Sequence, residues 1–229
     1  MKPPSVLPLL LNVLFLWPTC LVAEVKNYKA DVCVYGGTAS GVMAALAAEK
    51  EGSTVILIEP TRCLGGMTGG GINHLDWGKG ETVGGSTYKI LMEGLKDQKR
   101  AHGGHAKHGI GNKQYRERFK KLVKDRGITV IYDHRVGKVQ VGDETINKPT
   151  REQPIALGEK IVSKNKNNFI QSIILDYAPV DETGCPIPEP KKRNVITVSA
   201  KVFIDCSYEG DILGMSGVRY TWGRESREH

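Results

Sequence analysis

Six consecutive residues, Gly36-Gly37-Thr38-Ala39-Ser40-Gly41, join a short β-rich run to an alanine-rich one. Dinucleotide binding makes three demands on such a junction: a tight turn after a strand, close backbone approach to a pyrophosphate, and a small residue where helix packs on strand. Gly36 and Gly41 meet the first and the last. Thr38 stands where a second glycine is usual; its amide is still presented, and its hydroxyl adds a donor. The helix start around Thr38, Ala39 and Ser40 offers unpaired amides and roughly half a positive charge, which suits a pyrophosphate. Glu59 lies 18 residues past Gly41. A carboxylate at the end of a second strand accepts the ribose hydroxyls of an adenosine and repels a 2′-phosphate, so NADP is disfavoured and NAD or FAD remains. The alternative is a glycine-rich turn in an unrelated α/β fold. Strand, turn, helix, strand and acid in that order argue against it.

The elements that must position these residues are legible around them. Asp31 to Tyr35 is a β-rich run ending at Gly36-Gly37, and Gly41 to Glu51 carries apolar residues at helical spacing. Gly52 stops that helix, and Thr54 to Ile58 forms a second strand ending at Glu59. Together they make a βαβ unit of about thirty residues, the building block of a parallel sheet. A glycine-rich loop from Gly65 to Gly85 follows, then expected helices over Ser86 to Ala101 and Lys113 to Arg126, the second ended by Gly127. Strands are expected at Ile128 to Tyr132 and Val136 to Val141, at Phe169 to Tyr177, and at Val195 to Ser199 and Val202 to Asp205. The stretch 142–194 reads as an irregular, partly β excursion, polar up to Asn168 and proline-rich from Cys185 to Pro190. A last helix is expected over Gly210 to Ser216. No internal repeat is visible.

Met1 to Ala23 holds one Lys2, an apolar run from Val6 to Trp17, and four prolines at positions 3, 4, 8 and 18. That order reads as a secretory signal peptide rather than a membrane span or a buried helix, which the prolines would interrupt. Trp17, Pro18 and Thr19 fit badly with lipid attachment at Cys20. The expected domain is therefore 24–229, exported to the periplasm or outside a bacterial cell by the general secretory route. A formal charge of +7 reads as a solvated basic surface, because lysines alternate with acids and no nucleic-acid module is present. The spacing of Cys33, Cys63, Cys185 and Cys206 matches neither a disulfide framework nor a zinc site, and no C-x-x-C pair offers dithiol chemistry. His102, His105 and His108 lack a partner cysteine or carboxylate at ligand spacing, so no metal is expected. His74 and Cys63 lie near the glycine-rich loop and are read as structural. The expected partner is a small-molecule substrate.

Downstream of Glu59 come Arg62 and then Leu64-Gly65-Gly66-Met67-Thr68-Gly69-Gly70-Gly71. Here the chain resembles the glutathione-reductase-like flavoproteins and, more narrowly, the FAD-dependent oxidoreductase family that reads GG-T-x-[AS]-G … E … LGG-M-x-x-GG. The resemblance implies FAD rather than NAD. It places Arg62, Gly65, Gly66, Met67 and Thr68 along the pyrophosphate and ribityl chain, with Pro60 beside Glu59. Gly69, Gly70 and Gly71 would leave room for the isoalloxazine ring. Val130-Ile131-Tyr132 followed by Arg135-Val136 is similar to the strand pair whose valine backbone reads adenine. Asp205-Cys206-Ser207-Tyr208-Glu209-Gly210-Asp211 resembles the segment that returns to the first strand and closes the site, which assigns Asp205 and Asp211 to the cofactor. Tyr220, Gly223, Arg224 and Glu225 fit the continuation. The likeness spans Asp31 to Glu225, with the middle excursion unmatched.

The expected fold is α/β: a glutathione-reductase-like Rossmann sheet with a small β-rich insertion. The expected function is an exported FAD-dependent oxidoreductase that moves hydride from a small, hydroxylated or sugar-like substrate to flavin. A catalytic base is not assigned, because in such enzymes it comes from a second domain, and the chain reads as incomplete in that respect. Two alternatives stay open: an NAD-linked dehydrogenase, against which the Gly65 to Gly71 run speaks, and a non-catalytic flavin-binding module. A polysaccharide-lyase role is disfavoured, since no acid/base constellation for β-elimination is present.

Overall fold

The computed structural model describes residues 25–70, 84–86, 112–147, 169–218 and 220. Strand β1 (Lys26–Tyr35) turns into helix α1 (Ala39–Lys50), which returns into β2 (Val55–Glu59). All five residues of β2 are buried, as are the last four of β1. Near-continuous apolar runs of this kind belong to parallel strands covered on both faces. The two faces separate cleanly. Val32, Val34, Val55 and Leu57 pack on the α1 side with Val42 and Ala45. Cys33, Tyr35, Ile56 and Ile58 face the opposite core.

After β2 comes the short helix α2 (Gly66–Gly70), and then α3 (Asn112–Asp125). Tyr115, Phe119 and Val123 recur every fourth residue of α3 and are buried in the α1-side core. Strands β3 (Thr129–Tyr132), β4 (His134–Val141), β5 (Glu144–Asn147), β6 (Ile170–Tyr177) and β7 (Lys192–Asp205) follow, and α4 (Asp211–Met215) ends the described part. They make one seven-stranded sheet in the order β3-β2-β1-β7-β6-β4-β5. The first four strands in that order are parallel; the meander β7-β6-β4-β5 is antiparallel. The chain leaves β1 towards β2 on one side and returns beside it as β7, the last strand, on the other, so the carboxyl end of β1 is a topological switch point, where open α/β sheets bind ligands. The fold is α/β, as the sequence predicts.

Three differences from the sequence reading have physical reasons. β1 begins at Lys26 rather than Asp31 because Lys26 to Ala30 pairs in register with Ile196 to Ala200. The long partner compensates for the polar composition of this half. β7 is one 14-residue strand rather than two, since it pairs with β6 over its first half and with β1 as far as Asp205. The excursion contains β5, which pairs with β4 across Gly142 and Asp143. Gly142 sits at φ 56°, and a tight turn there carries the hairpin. The helix expected over Ser86 to Ala101 and the segment 148–168 lie outside the described residues.

Candidate cofactor site

Tyr35, Glu59 and Asp205 end neighbouring parallel strands, with Tyr35 in register with Ile58 and Asp205. Three of the glycines between and beyond these ends are required by close packing. Gly36 has φ +93°, and a Cβ there would stand 2.6 Å from the Ser207 amide nitrogen. A Cβ on Gly41 would overlap the Gly36 carbonyl oxygen. A Cβ on Gly37 would stand 2.7 Å from Oε2 of Glu59 and 2.7 Å from Leu64. Gly37 has no role in the sequence reading, because the residue that needs its space arrives from the next strand.

Thr38 caps α1. Its Oγ1 accepts from the Gly41 amide at 3.2 Å and donates to the Cys206 carbonyl at 2.9 Å. The Ser40 hydroxyl lies 2.9 Å from it. The hydroxyl expected as a cofactor donor is thus engaged inside the protein, closing the helix start and tying it to the end of β7. Ala39 is half-buried and Ser40 exposed at the first turn, which contains no acidic residue. A 12-residue helix directs its free N–H groups there, and the macrodipole favours an anion.

Glu59 is 6 % exposed. Its Oε2 accepts from the Gly37 amide at 2.8 Å, and Oε1 from the Thr61 amide at 2.7 Å and the Thr61 hydroxyl. Burial raises its pKa, while the bonds from Thr61 and Gly37 pull the other way. A carboxylate offers about four acceptor positions. Three are filled from within, which leaves room for a ribose hydroxyl. Pro60 follows half-buried.

The Leu64–Gly66 segment lies directly on the β1–α1 turn. The Gly65 amide donates to the Gly37 carbonyl at 2.7 Å, and Gly65 forms a parallel bridge with Thr38. Gly65 and Gly66 both adopt positive φ, +100° and +51°. A Cβ on Gly65 would overlap the Phe119 ring, one on Gly66 the Tyr208 hydroxyl, and one on Gly69 the Leu64 carbonyl. The tight fit at Gly69 is therefore to its own loop. Met67 and Gly70 are exposed and Thr68 is half-buried; Gly71 lies outside the described residues.

Other expected residues are occupied within the protein. Arg62 pairs with Asp133, Nε to Oδ1 at 3.0 Å and Nη2 to Oδ2 at 2.8 Å, which raises the arginine's pKa. The Asp205 carboxylate accepts from Ser207 through Oδ1, and from the Ile212 and Leu213 amides at 2.9 and 3.0 Å through Oδ2. It fixes the turn into α4. Val136 is buried, and its amide, assigned to adenine by the resemblance, donates to the Tyr35 hydroxyl at 3.2 Å. Tyr35 in turn donates to Oδ2 of Asp211 at 3.3 Å. Burial and the neighbouring Asp211 raise the Tyr35 pKa. The sequence does not mark this link between Val136 and Asp211, since a tyrosine at the end of a buried strand looks like core.

The four described cysteines, Cys33, Cys63, Cys185 and Cys206, are free, and Cys63 lies 3.5 Å from Nη1 of Arg116. Among the described residues no cluster could hold a metal ion, and no helix is long and apolar enough to cross a membrane. Met1 to Ala23, His74, His102, His105 and His108 lie outside the described residues.

The family model described as FAD dependent oxidoreductase matches residues 31–158 and 186–229. The chain belongs to the FAD dependent oxidoreductase family. The cofactor of that family is FAD. No curated protein matches the chain. Among solved structures, a flavoprotein/dehydrogenase from Cytophaga hutchinsonii is similar at 15% identity and TM-score 0.46, covering 85% of this chain and 44% of that one. A flavocytochrome c3 fumarate reductase is similar at 18% identity and TM-score 0.41, covering 78% and 33%. L-proline dehydrogenase from P. horikoshii is similar at 14% identity and TM-score 0.39, covering 80% and 23%. The chain thus spans less than half the length of each.

The site fits what an FAD dependent oxidoreductase must hold. The turn at Gly36–Gly41 keeps side chains away from the α1 amides, and Gly37 admits Glu59 to the same cradle. One buried carboxylate beside a helix start that presents the Ala39 and Ser40 amides offers an acceptor for hydroxyls and donors for phosphate oxygens.

Proposed function

We propose that this chain is the FAD-holding part of an exported oxidoreductase that removes hydride from a small hydroxylated or sugar-like molecule. The single observation that carries the cofactor half of this reading is the meeting of Gly37 and Glu59, 2.8 Å apart at the start of α1. FAD, when bound, supplies the hydride-accepting ring. The chain's own residues do the holding. Glu59 receives ribose hydroxyls and excludes a 2′-phosphate by charge. The α1 amides at Ala39 and Ser40 face the pyrophosphate. Asp211, steadied by Tyr35, receives hydroxyls farther along the cofactor, while Gly65 to Thr68 forms the wall beside it. The charged Arg62 edge, 64% exposed beside Asp133, borders the adenosine end. Export rests on the composition of Met1 to Ala23, and the hydroxylated substrate on the family resemblance.

The test is reconstitution. The purified chain is incubated with FAD, desalted, and its visible spectrum recorded, then mixed anaerobically with a panel of sugars and alcohols. Retained flavin that bleaches with one member supports the whole reading. Retained flavin that no hydroxylated compound bleaches refutes the substrate class and leaves a flavin-binding module. A folded but colourless chain refutes the cofactor site as drawn. Sequencing the amino terminus of protein recovered from culture fluid tests export; an intact Met1 in protein found inside the cell refutes it.

A further inference from the structure

Tyr208 is absent from the cofactor set that the sequence marks, yet it stands over the cradle. The residue is 59% exposed, and it leaves a turn that is firmly held. Asp205 and the Ser207 hydroxyl between them accept from the amides of Ser207, Gly210, Asp211, Ile212 and Leu213. From that turn the side chain reaches the start of α2, where its hydroxyl accepts from the Met67 amide at 2.8 Å. The same hydroxyl occupies the space a Cβ on Gly66 would fill, and that Cβ position lies 3.2 Å from Cα of Thr38. The hydroxyl therefore lies against the Gly66–Met67 backbone, which itself packs close to Thr38 at the start of α1. Its oxygen accepts once, and among the described residues its hydrogen has no acceptor.

We propose that Tyr208 is a direct ligand of the cofactor's pyrophosphate, its hydroxyl held by the Met67 amide and donating to a phosphate oxygen. The proposal rests on the FAD site described above and adds a residue to it. An O–H that already accepts from an amide is a stronger donor, because bonds in a chain polarise one another. A phosphate oxygen makes that bond charge-assisted, about twice as strong as a neutral one. An exposed aromatic side chain fixed at its tip by one backbone amide then has a reason for its place. It adds a donor to the set begun by the α1 amides. Gly66 is required because the hydroxyl takes the position of its side chain.

The test compares the full chain with Tyr208→Phe, titrating FAD, ADP and adenosine, the last two by displacement of FAD. The expected result is FAD and ADP binding weakened about tenfold, as for loss of one hydrogen bond to a charged group, with adenosine unchanged. The phosphorus resonances of bound FAD should shift between the two proteins. Adenosine weakened as much as ADP would make Tyr208 only a brace for α2 and overturn the proposal. So would tighter binding of all three, which would make it a plug, or no change in any. Thermal melting verifies that the variant folds. Should Phe unfold the chain, Gly66→Ala, which displaces the hydroxyl but leaves Tyr208 in place, must show the same selective loss of ADP. Failure of the unmodified chain to bind FAD would overturn the cofactor site itself, a different result from selective loss in the variant.

Discussion

Glu59→Gln is the sharpest perturbation, because it keeps the size of the side chain and changes only charge and donor pattern. Donors face both oxygens of Glu59: the Gly37 amide on Oε2, and the Thr61 amide and hydroxyl on Oε1. A glutamine must point its NH2 group at one of those amides whichever way it turns. One buried amide then loses its acceptor, which costs about 1–3 kcal/mol of stability. FAD loses a charged acceptor for its ribose, worth about 1.5–3 kcal/mol, or roughly 10- to 150-fold in affinity. Flavin fluorescence titration reads the affinity, and thermal or urea unfolding the stability. The pH dependence adds a sign. Burial raises the folded pKa of Glu59 above its ordinary 4.5, so the folded chain holds this proton more tightly than the unfolded chain. The stability tied to that proton is fully present below 4.5 and is lost as pH rises through the raised folded value. The stability difference between native chain and Glu59→Gln should therefore shift in the variant's favour as pH rises across that window. FAD affinity within twofold of native, together with unchanged stability, would refute both the ribose role and the pinning of Gly37.

Gly41→Ala should fail to fold or lose at least about 1–3 kcal/mol through overpacking, since its Cβ overlaps the Gly36 carbonyl; a native melting temperature would show that α1 can slide away. Tyr35→Phe strands the Val136 amide in the core and should cost about 1–3 kcal/mol, with weaker FAD binding through Asp211. A variant as stable as native would mean that the amide finds another acceptor. Cys33, fully buried and pushed up to about 12 by desolvation, should resist thiol reagents in the folded state while exposed Cys185 reacts at once. Equal rates measured with a chromogenic disulfide would contradict the burial of β1.

Much of this architecture is written locally. The junction Gly36–Gly41, the alanine-rich α1 and the run ending at Glu59 each depend on short-range rules of turn geometry, helical spacing and strand composition, so they can be read from neighbouring residues. The failures are of another kind. Lys26 to Ala30 is polar by itself and becomes strand only because β7 lies alongside in register. Arg62 and Asp205, both assigned to the cofactor, also brace Asp133 and the α4 turn, partners that motif spacing does not show.

The amino-acid order alone determined a βαβ unit with a glycine turn, a terminal acid and the family to which both belong. Only the tertiary structure decided that Gly37 makes space for Glu59 and that Tyr35 joins Val136 to Asp211 across 101 and 176 residues of sequence. Only there, too, does Tyr208 reach Met67 from 141 residues away. The reason is physical. Backbone turns and periodicities are set within a few residues, whereas a buried hydrogen bond is set by sheet order and strand register, which bring distant segments together only once the core has closed.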